Sequence, residues 1–281
     1  MSQLKIKEKK NHFAFLGNFI TILILVVAIG VCAYAGGNLY KIFSEYKAGT
    51  DEYAKISDMV VTEKKADVKD ETWVDKETKK KVWTAPIEVD SKKLAQINPD
   101  FVGWLYVEAL PDISYPMVHY KDNDFYLHRT FEKQDNFAGT IFTDCQNKRN
   151  LGDSNTIIYG HNMKNGSMFG SIHSFEDETF FDGHPYIYVY TENERLTYEI
   201  YEAAKFTDVY IPSEYVISSK DDRDQFLADV REKVSDNKLH VREDMEIGED
   251  DRLITLSTCV SGERNHRYLV IGVLVETALY R

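Results

Sequence analysis

The run Ile254-Thr255-Leu256-Ser257-Thr258-Cys259 carries a cysteine to the end of a β-branched apolar segment. Eight residues later Arg267 opens a second such segment, Arg267-Tyr268-Leu269-Val270-Ile271-Gly272-Val273-Leu274-Val275. The thiolate, not the thiol, is the nucleophile, and a free cysteine has a pKa of about 8.5, so a fixed cation nearby raises the reactive fraction. A guanidinium keeps its charge, so Arg267 is the candidate charge stabiliser. A proton carrier is still needed. Among eight histidines, His161 is preferred, because Thr156-Ile157-Ile158-Tyr159-Gly160-His161 sets an imidazole at a strand end after a glycine that permits a tight turn. Of the two cysteines beyond the N-terminal apolar run, Cys145 fits the role of a small buried hydrophobe better than Cys259 does.

These side chains must be held by a scaffold, and from Val102 onward the pattern is one of strands. Val102–Val107, Tyr115–His119, Gly139–Phe142, Thr156–Tyr159, Tyr186–Tyr190, Leu196–Tyr201, Ile254–Ser257 and Tyr268–Val275 are short β-branched or aromatic runs parted by turn residues. Such spacing predicts a mostly β fold, a largely antiparallel sandwich or barrel. Ser91–Ile97 reads as a short helix closed by Asn98-Pro99. One longer helix, Lys220–Val234, is expected after Ser219, with Phe226, Leu227, Val230 and Val234 on its apolar side. Phe180-Phe181-Asp182-Gly183 reads as core and loop.

Upstream the chain changes character. From Asn11 to Tyr40 it has no charged residue, and Phe19–Val31 is almost wholly apolar. A helix crossing a bilayer needs roughly 20 such residues. Lys5, Lys7, Lys9 and Lys10 precede the run, which predicts a cytoplasmic N-terminus and an external C-terminal domain. A cleavable signal peptide ending near Ala33-Tyr34-Ala35 is the competing reading, but the apolar run exceeds the usual h-region of about 7–15 residues. The expected organisation is a basic cytoplasmic tail at residues 1–12, a transmembrane anchor at 13–38, a stalk and charged spacer at 39–85, and a catalytic domain at 86–281.

The formal net charge of −12 disfavours nucleic acid as a partner, since phosphate recognition needs clustered Lys and Arg. Asp221, Asp222 and Asp224 suit a helix N-terminus without any ion. Glu246, Glu249, Asp250 and Asp251 match no EF-hand spacing. Both groups read as solvated surface, and no metal or other cofactor is expected.

Thr255-Leu256-Ser257-Thr258-Cys259, Tyr159-Gly160-His161-Asn162-Met163 and Arg267 resemble, in that order of roles, the cysteine, histidine and arginine segments of sortases. Asn98–Trp104, Tyr126-Leu127 with Phe131, Gly139–Asp144 and Asn165–Gly170 are similar to class B segments, and the helix between Tyr210 and Leu253 resembles that class's insertion. The likeness spans roughly Ile97–Val275. It departs at Asp144-Cys145-Gln146-Asn147, where class B relatives usually carry an aromatic residue and an arginine in the middle positions.

The resemblance implies a closed sortase-type β-barrel with short helices and one long helix inserted between late strands. It also implies a membrane-anchored cysteine transpeptidase. Cys259 would attack a Thr-X bond in a C-terminal sorting signal to give a thioacyl enzyme. His161 would serve as general acid and then base, and Arg267 would hold the substrate carbonyl. Ser257, Tyr210 and Ile211 fall where that class shapes its signal groove, although packing beneath the helix accounts equally well for Tyr210 and Ile211. The implied partners are secreted proteins bearing a sorting signal, a peptidoglycan precursor or cross-bridge amine, and membrane lipid around the anchor. A pilin lysine as acceptor, a hydrolase releasing the acyl group to water, and an anchored binding module with an inert Cys259 are the alternatives.

Overall fold

The computed structural model describes residues 12–63, 73–74, 81–82, 85–183, 185–233 and 238–280. The basic tail before His12, most of the charged spacer and Val234 lie outside the described residues. The chain divides into two compact units at Ala48/Gly49. Helix α1 (His12–Val60) contributes to both. Its first part is long and apolar enough to cross a membrane, and the side chains of Phe19, Ile24, Val27 and Val31 are exposed along it.

The second unit begins earlier than the sequence suggested. The last turns of α1, expected as stalk, bury Tyr53, Ile56 and Val60 in the domain. The Tyr53 hydroxyl donates to the Gly139 carbonyl at 2.6 Å, and its ring meets Tyr115 edge-on. Three apolar positions on one helical face, each adding roughly 1.5–3 kcal/mol when fully buried, give this segment a reason to pack rather than hang free. Beyond it, β1 (Val61–Glu63) pairs with β4 (Ile87–Val89), and β2 (Trp73–Val74) with β3 (Lys81–Val82). Helix α2 (Ser91–Ile97) starts where the Asp90 carboxylate accepts from the Lys93 N–H, and stops at Asn98, the residue before Pro99.

The main sheet contains β5 (Phe101–Val107), β6 (Leu110–His119), β7 (Ile141–Thr143), β8 (Asn155–Tyr159), β9 (Tyr186–Tyr190), β10 (Glu194–Thr207), β11 (His240–Val241), β12 (Leu253–Val260) and β13 (Glu263–Leu279). Its order is β11-β10-β13-β12-β8-β7-β6-β5-β9, and β9 pairs back onto β10. That last pairing closes a barrel and leaves β11 as a short addition to β10. The pairings are antiparallel except β6–β7 and β8–β12. Each strand run read from the sequence is a barrel strand, often longer at its ends. Residues 180–183 are instead the end of a short helix, α3 (Glu178–Gly183), which buries Phe181.

Between β10 and β12 the chain forms α4 (Ile211–Glu214) and α5 (Lys220–Glu232). The Ser219 hydroxyl caps α5 by accepting from the Asp222 N–H. Phe226, Leu227 and Val230 pack with Phe206, Ile211, Leu253, Leu269 and Ile271, so the inserted helix lies over one wall of the barrel. Arg231 donates to the fully buried Glu202 of β10 at 2.9 Å, a second tie between helix and barrel.

Candidate active site

Register, more than sequence proximity, assembles the site. In the antiparallel β12–β13 pair, Cys259 stands opposite Arg267. Directly opposed residues have Cβ atoms about 4.5–5.5 Å apart, so the two side chains are neighbours by construction. In the parallel β8–β12 pair, Ser257 stands opposite Tyr159, and the Gly160 N–H donates to the Ser257 carbonyl at 3.3 Å. Two residues further along come His161, just past the end of β8, and Cys259, still in β12. The Thr258 hydroxyl also donates to the Gly160 carbonyl at 2.7 Å, fixing the end of this ladder. Gly160 is required for space rather than for a left-handed turn: a Cβ there would meet Ile141 at 2.6 Å and Phe169 at 2.7 Å.

A cleft of about 370 Å³ opens at this end of the barrel, and His161, Cys259, Arg267, Ser257, Tyr210 and Ile211 all line it. Their placements differ. Cys259 is exposed, Tyr210 is 37% exposed, and Ser257 and Ile211 are nearly covered parts of the wall. Arg267, inside β13 rather than at its start, donates from Nη1 to the carbonyls of Arg264 and His266 at 3.3 and 3.0 Å, which fixes its fork.

His161 sits deeper. Its Nε2 lies 2.8 Å from the Leu127 carbonyl, an acceptor-only partner, so Nε2 carries the proton and Nδ1 is left to exchange one. Burial pushes its pKa below the usual histidine value, opposed by the bond to Leu127 and reinforced by His128 stacked 6.2 Å away. The neutral imidazole therefore prevails at neutral pH.

One wall rests on a residue that sequence reasoning passed over as a chemical group. Asp144 is wholly buried at the end of β7. Its Oδ1 accepts from the Tyr210 hydroxyl at 2.9 Å and the Gln146 N–H at 2.8 Å. Its Oδ2 accepts from the Tyr159 hydroxyl at 3.0 Å and Asn123 Nδ2 at 2.9 Å. Asn123, Tyr159 and Tyr210 all line the cleft, so one carboxylate holds three of its walls. Burial, with the neighbouring Asp144 carboxylate, raises the pKa of both tyrosines and keeps them as donors.

A second polar group gathers behind Cys259. Asn162 Nδ2 lies 2.7 Å from the Cys259 carbonyl and 3.0 Å from His173 Nε2. His173 Nε2 is itself 3.2 Å from that carbonyl, and its Nδ1 is 2.7 Å from Glu176. Asn162 stood next to His161 in the sequence motif, whereas nothing local distinguished His173 among the histidines.

Known proteins share sequence and fold with this chain. The Sortase domain family model matches residues 105–275. The chain is 32% identical to Sortase B of Listeria monocytogenes over 255 residues, 88% of this chain and 90% of that protein. Among solved structures, sortase B of Bacillus anthracis in complex with AAEK1 is similar with a TM-score of 0.65 and 31% identity, covering 84% of this chain and all of that one. Clostridium perfringens sortase B is similar with a TM-score of 0.59 and 36% identity, covering 66% of this chain and 99% of that one.

Proposed function

The chain belongs to the sortase family, in its class B, and from that premise we propose that it cleaves a C-terminal sorting signal at a Thr-X bond and passes the acyl group to a cell-wall amine. The observation that carries this reading is one cleft lined by Cys259, His161 and Arg267, with Cys259 and Arg267 opposite each other in one strand pair.

Each residue has a role its surroundings favour. The Cys259 thiolate attacks the threonine carbonyl carbon, forming the C–S bond as the carbonyl π electrons move to oxygen. Arg267 lies on the neighbouring strand, where a fixed cation offsets the oxyanion. When the tetrahedral intermediate collapses, the C–N bond breaks and protonated His161 gives its proton to the departing amine. In the second half the acceptor amine attacks the thioester, neutral His161 takes its proton, and Cys259 leaves as thiolate. Burial of His161 keeps the imidazolium scarce at neutral pH, so only a small fraction of molecules holds thiolate and imidazolium together. Ser257, Tyr210 and Ile211 supply walls for the signal peptide.

For the whole chain we propose the arrangement read from the sequence. Residues 1–12 are cytoplasmic, 13–38 cross the membrane, the spacer follows, and the catalytic domain, extended to include the last turns of α1, stands outside. Tethering raises the local concentration of secreted substrates and of a lipid-linked wall precursor, both of which reach the same membrane face.

The test is mass spectrometry of the full chain in detergent, incubated with a panel of sorting peptides beside Cys259→Ala. An acyl adduct on Cys259 that an added amine discharges supports the transferase. Glycine-type and lysine-type acceptors in parallel separate wall anchoring from pilin joining. An adduct that only water discharges would point to a hydrolase, and an unreactive Cys259 to a binding module.

A further inference from the structure

Beyond the cleft, one cluster contacts the nucleophile's own backbone. Strand β8 ends at Tyr159, and the backbone ladder it shares with β12 reaches only as far as the Gly160 N–H and the Ser257 carbonyl. Along a strand, alternate carbonyls point the same way, so the Cys259 carbonyl also faces the β8 side, where that ladder has run out. On the other side, the β12–β13 register shifts between Cys259 and Val260. The nucleophile thus sits where regular pairing fails on both flanks, and neither ladder by itself fixes its peptide plane.

Side chains take over there. Asn162 Nδ2 donates to the Cys259 carbonyl at 2.7 Å and lies within 3.3 Å of the Ser261 hydroxyl. His173 Nε2 lies beside the same carbonyl at 3.2 Å and, with Nδ1 donating to Glu176, accepts from the Asn162 amide. The imidazole is itself held on three sides. Nδ1 donates to Glu176 at 2.7 Å, the ring stacks on Tyr268 with centroids 4.9 Å apart, and Asn162 lies 3.0 Å from Nε2. Glu176 is anchored in turn by Lys238 at 2.5 Å, and its carbonyl lies 2.9 Å from His240 Nε2. Neither Asn162 nor His173 lines the cleft, so neither is placed to touch the signal peptide there.

We infer that Asn162 and His173, with Glu176 behind them, are positioning residues for the reaction: the Asn162 amide clasps the Cys259 carbonyl, His173 holds that amide, and together they set the direction in which the Cys259 Sγ leaves the strand. The inference rests on Cys259 being the nucleophile. A peptide unit is planar, so pinning its oxygen fixes the plane next to the Cys259 Cα and with it the Cβ vector. Attack on a carbonyl needs such alignment, and small misplacements cost rate steeply. Alkylation of an exposed thiol by a small reagent needs little of it.

The experiment uses the full chain in detergent and compares Asn162→Ala, His173→Ala and His173→Gln with the wild type. Folding is checked by circular dichroism. Peptide cleavage gives kcat and KM, and iodoacetamide reports thiol reactivity. The clasp predicts that kcat falls roughly ten- to hundredfold in Asn162→Ala and His173→Ala. KM and the alkylation rate should stay within about twofold, because groove and thiol are untouched. The glutamine side-chain oxygen can still accept from the Asn162 amide, so His173→Gln should recover part of the loss. Using two positions keeps the test valid should one variant misfold. Unchanged kcat in folded variants overturns the inference. So does a rise confined to KM, or an alkylation rate that falls in step with kcat. A wild type that never acylates Cys259 would instead overturn the reading of the nucleophile, and the clasp with it.

Discussion

Replacing Asp144 by asparagine tests whether a buried carboxylate holds the cleft open. The carboxylate accepts four hydrogen bonds, two on each oxygen, and has no exposure to water. An asparagine keeps the shape but turns one oxygen into a donor. With its oxygen toward the Gln146 N–H, which can only donate, its NH₂ faces the Tyr159 hydroxyl and Asn123 Nδ2. The hydroxyl can rotate to accept. Asn123 cannot simply flip, because its Oδ1 already accepts from the Cys145 N–H at 2.8 Å. One donor is therefore orphaned, at a cost of about 1–3 kcal/mol, and the remaining bonds lose their charge assistance. A destabilisation of about 2–3 kcal/mol follows, and at roughly 2–4 °C per kcal/mol for a domain of this size Tm should fall by about 4–12 °C. Differential scanning calorimetry of wild type and Asp144→Asn measures it, with Tyr210→Phe, which removes one donor and orphans none, as a control losing about 1 kcal/mol. Because three walls of the cleft hang on this group, KM for the sorting peptide should rise more than kcat falls. A Tm within 1–2 °C of wild type, roughly the change expected for well under 1 kcal/mol, would refute the claim that the network is tight.

Other perturbations follow from the same structure. Burial raises the Glu202 pKa from 4.5 to about 7 despite the Arg231 partner, so between those values the folded chain holds a proton that the unfolded chain has released. Stability should then fall by about 3 kcal/mol as pH rises from 4.5 to 7, and Glu202→Gln should flatten that slope in urea melts. Gly139 has φ +60°, and a Cβ there would meet the Leu127 carbonyl at 2.6 Å. Gly139→Ala should therefore cost about 1–3 kcal/mol and, by moving the acceptor of His161, reduce kcat as well. His161→Gln removes the proposed proton carrier, so turnover should drop about 10²–10⁴-fold while iodoacetamide still modifies Cys259, as peptide mass mapping would show. Arg267→Lys keeps the charge but loses the planar fork, and stopped-flow acylation should slow about 10²-fold or more with the fold intact.

Much of this protein is local and was legible in the chain. The eight barrel strands follow from β-branched runs broken by turn residues, α5 from its Ser219 cap and apolar side, and the membrane-crossing length of α1 from an uncharged stretch. The Cys259–Arg267 pairing is nearly local too, because a tight hairpin opposes residues close in sequence. The motif residues then supplied the reaction type.

What the chain alone did not disclose depends on long-range register and on burial. Gly160 and Thr258 are 98 residues apart, and only the parallel pairing of β8 with β12 brings His161 level with Cys259. No periodicity within either strand states which partner it will choose. Asp144 entered the sequence reading only as part of a family-like segment, and the closed barrel makes it a fully desolvated acceptor for three cleft walls. His173 had no local signal, because its importance lies in holding Asn162 against a carbonyl left without a ladder partner by the end of β8. The last turns of α1 likewise read as stalk, since their apolar positions acquire meaning only when Tyr115 and Gly139 are folded against them. Residue type and spacing fix which chemistry is available. Packing decides which groups lose water and which strands lie side by side, and those two facts make the chemistry a site.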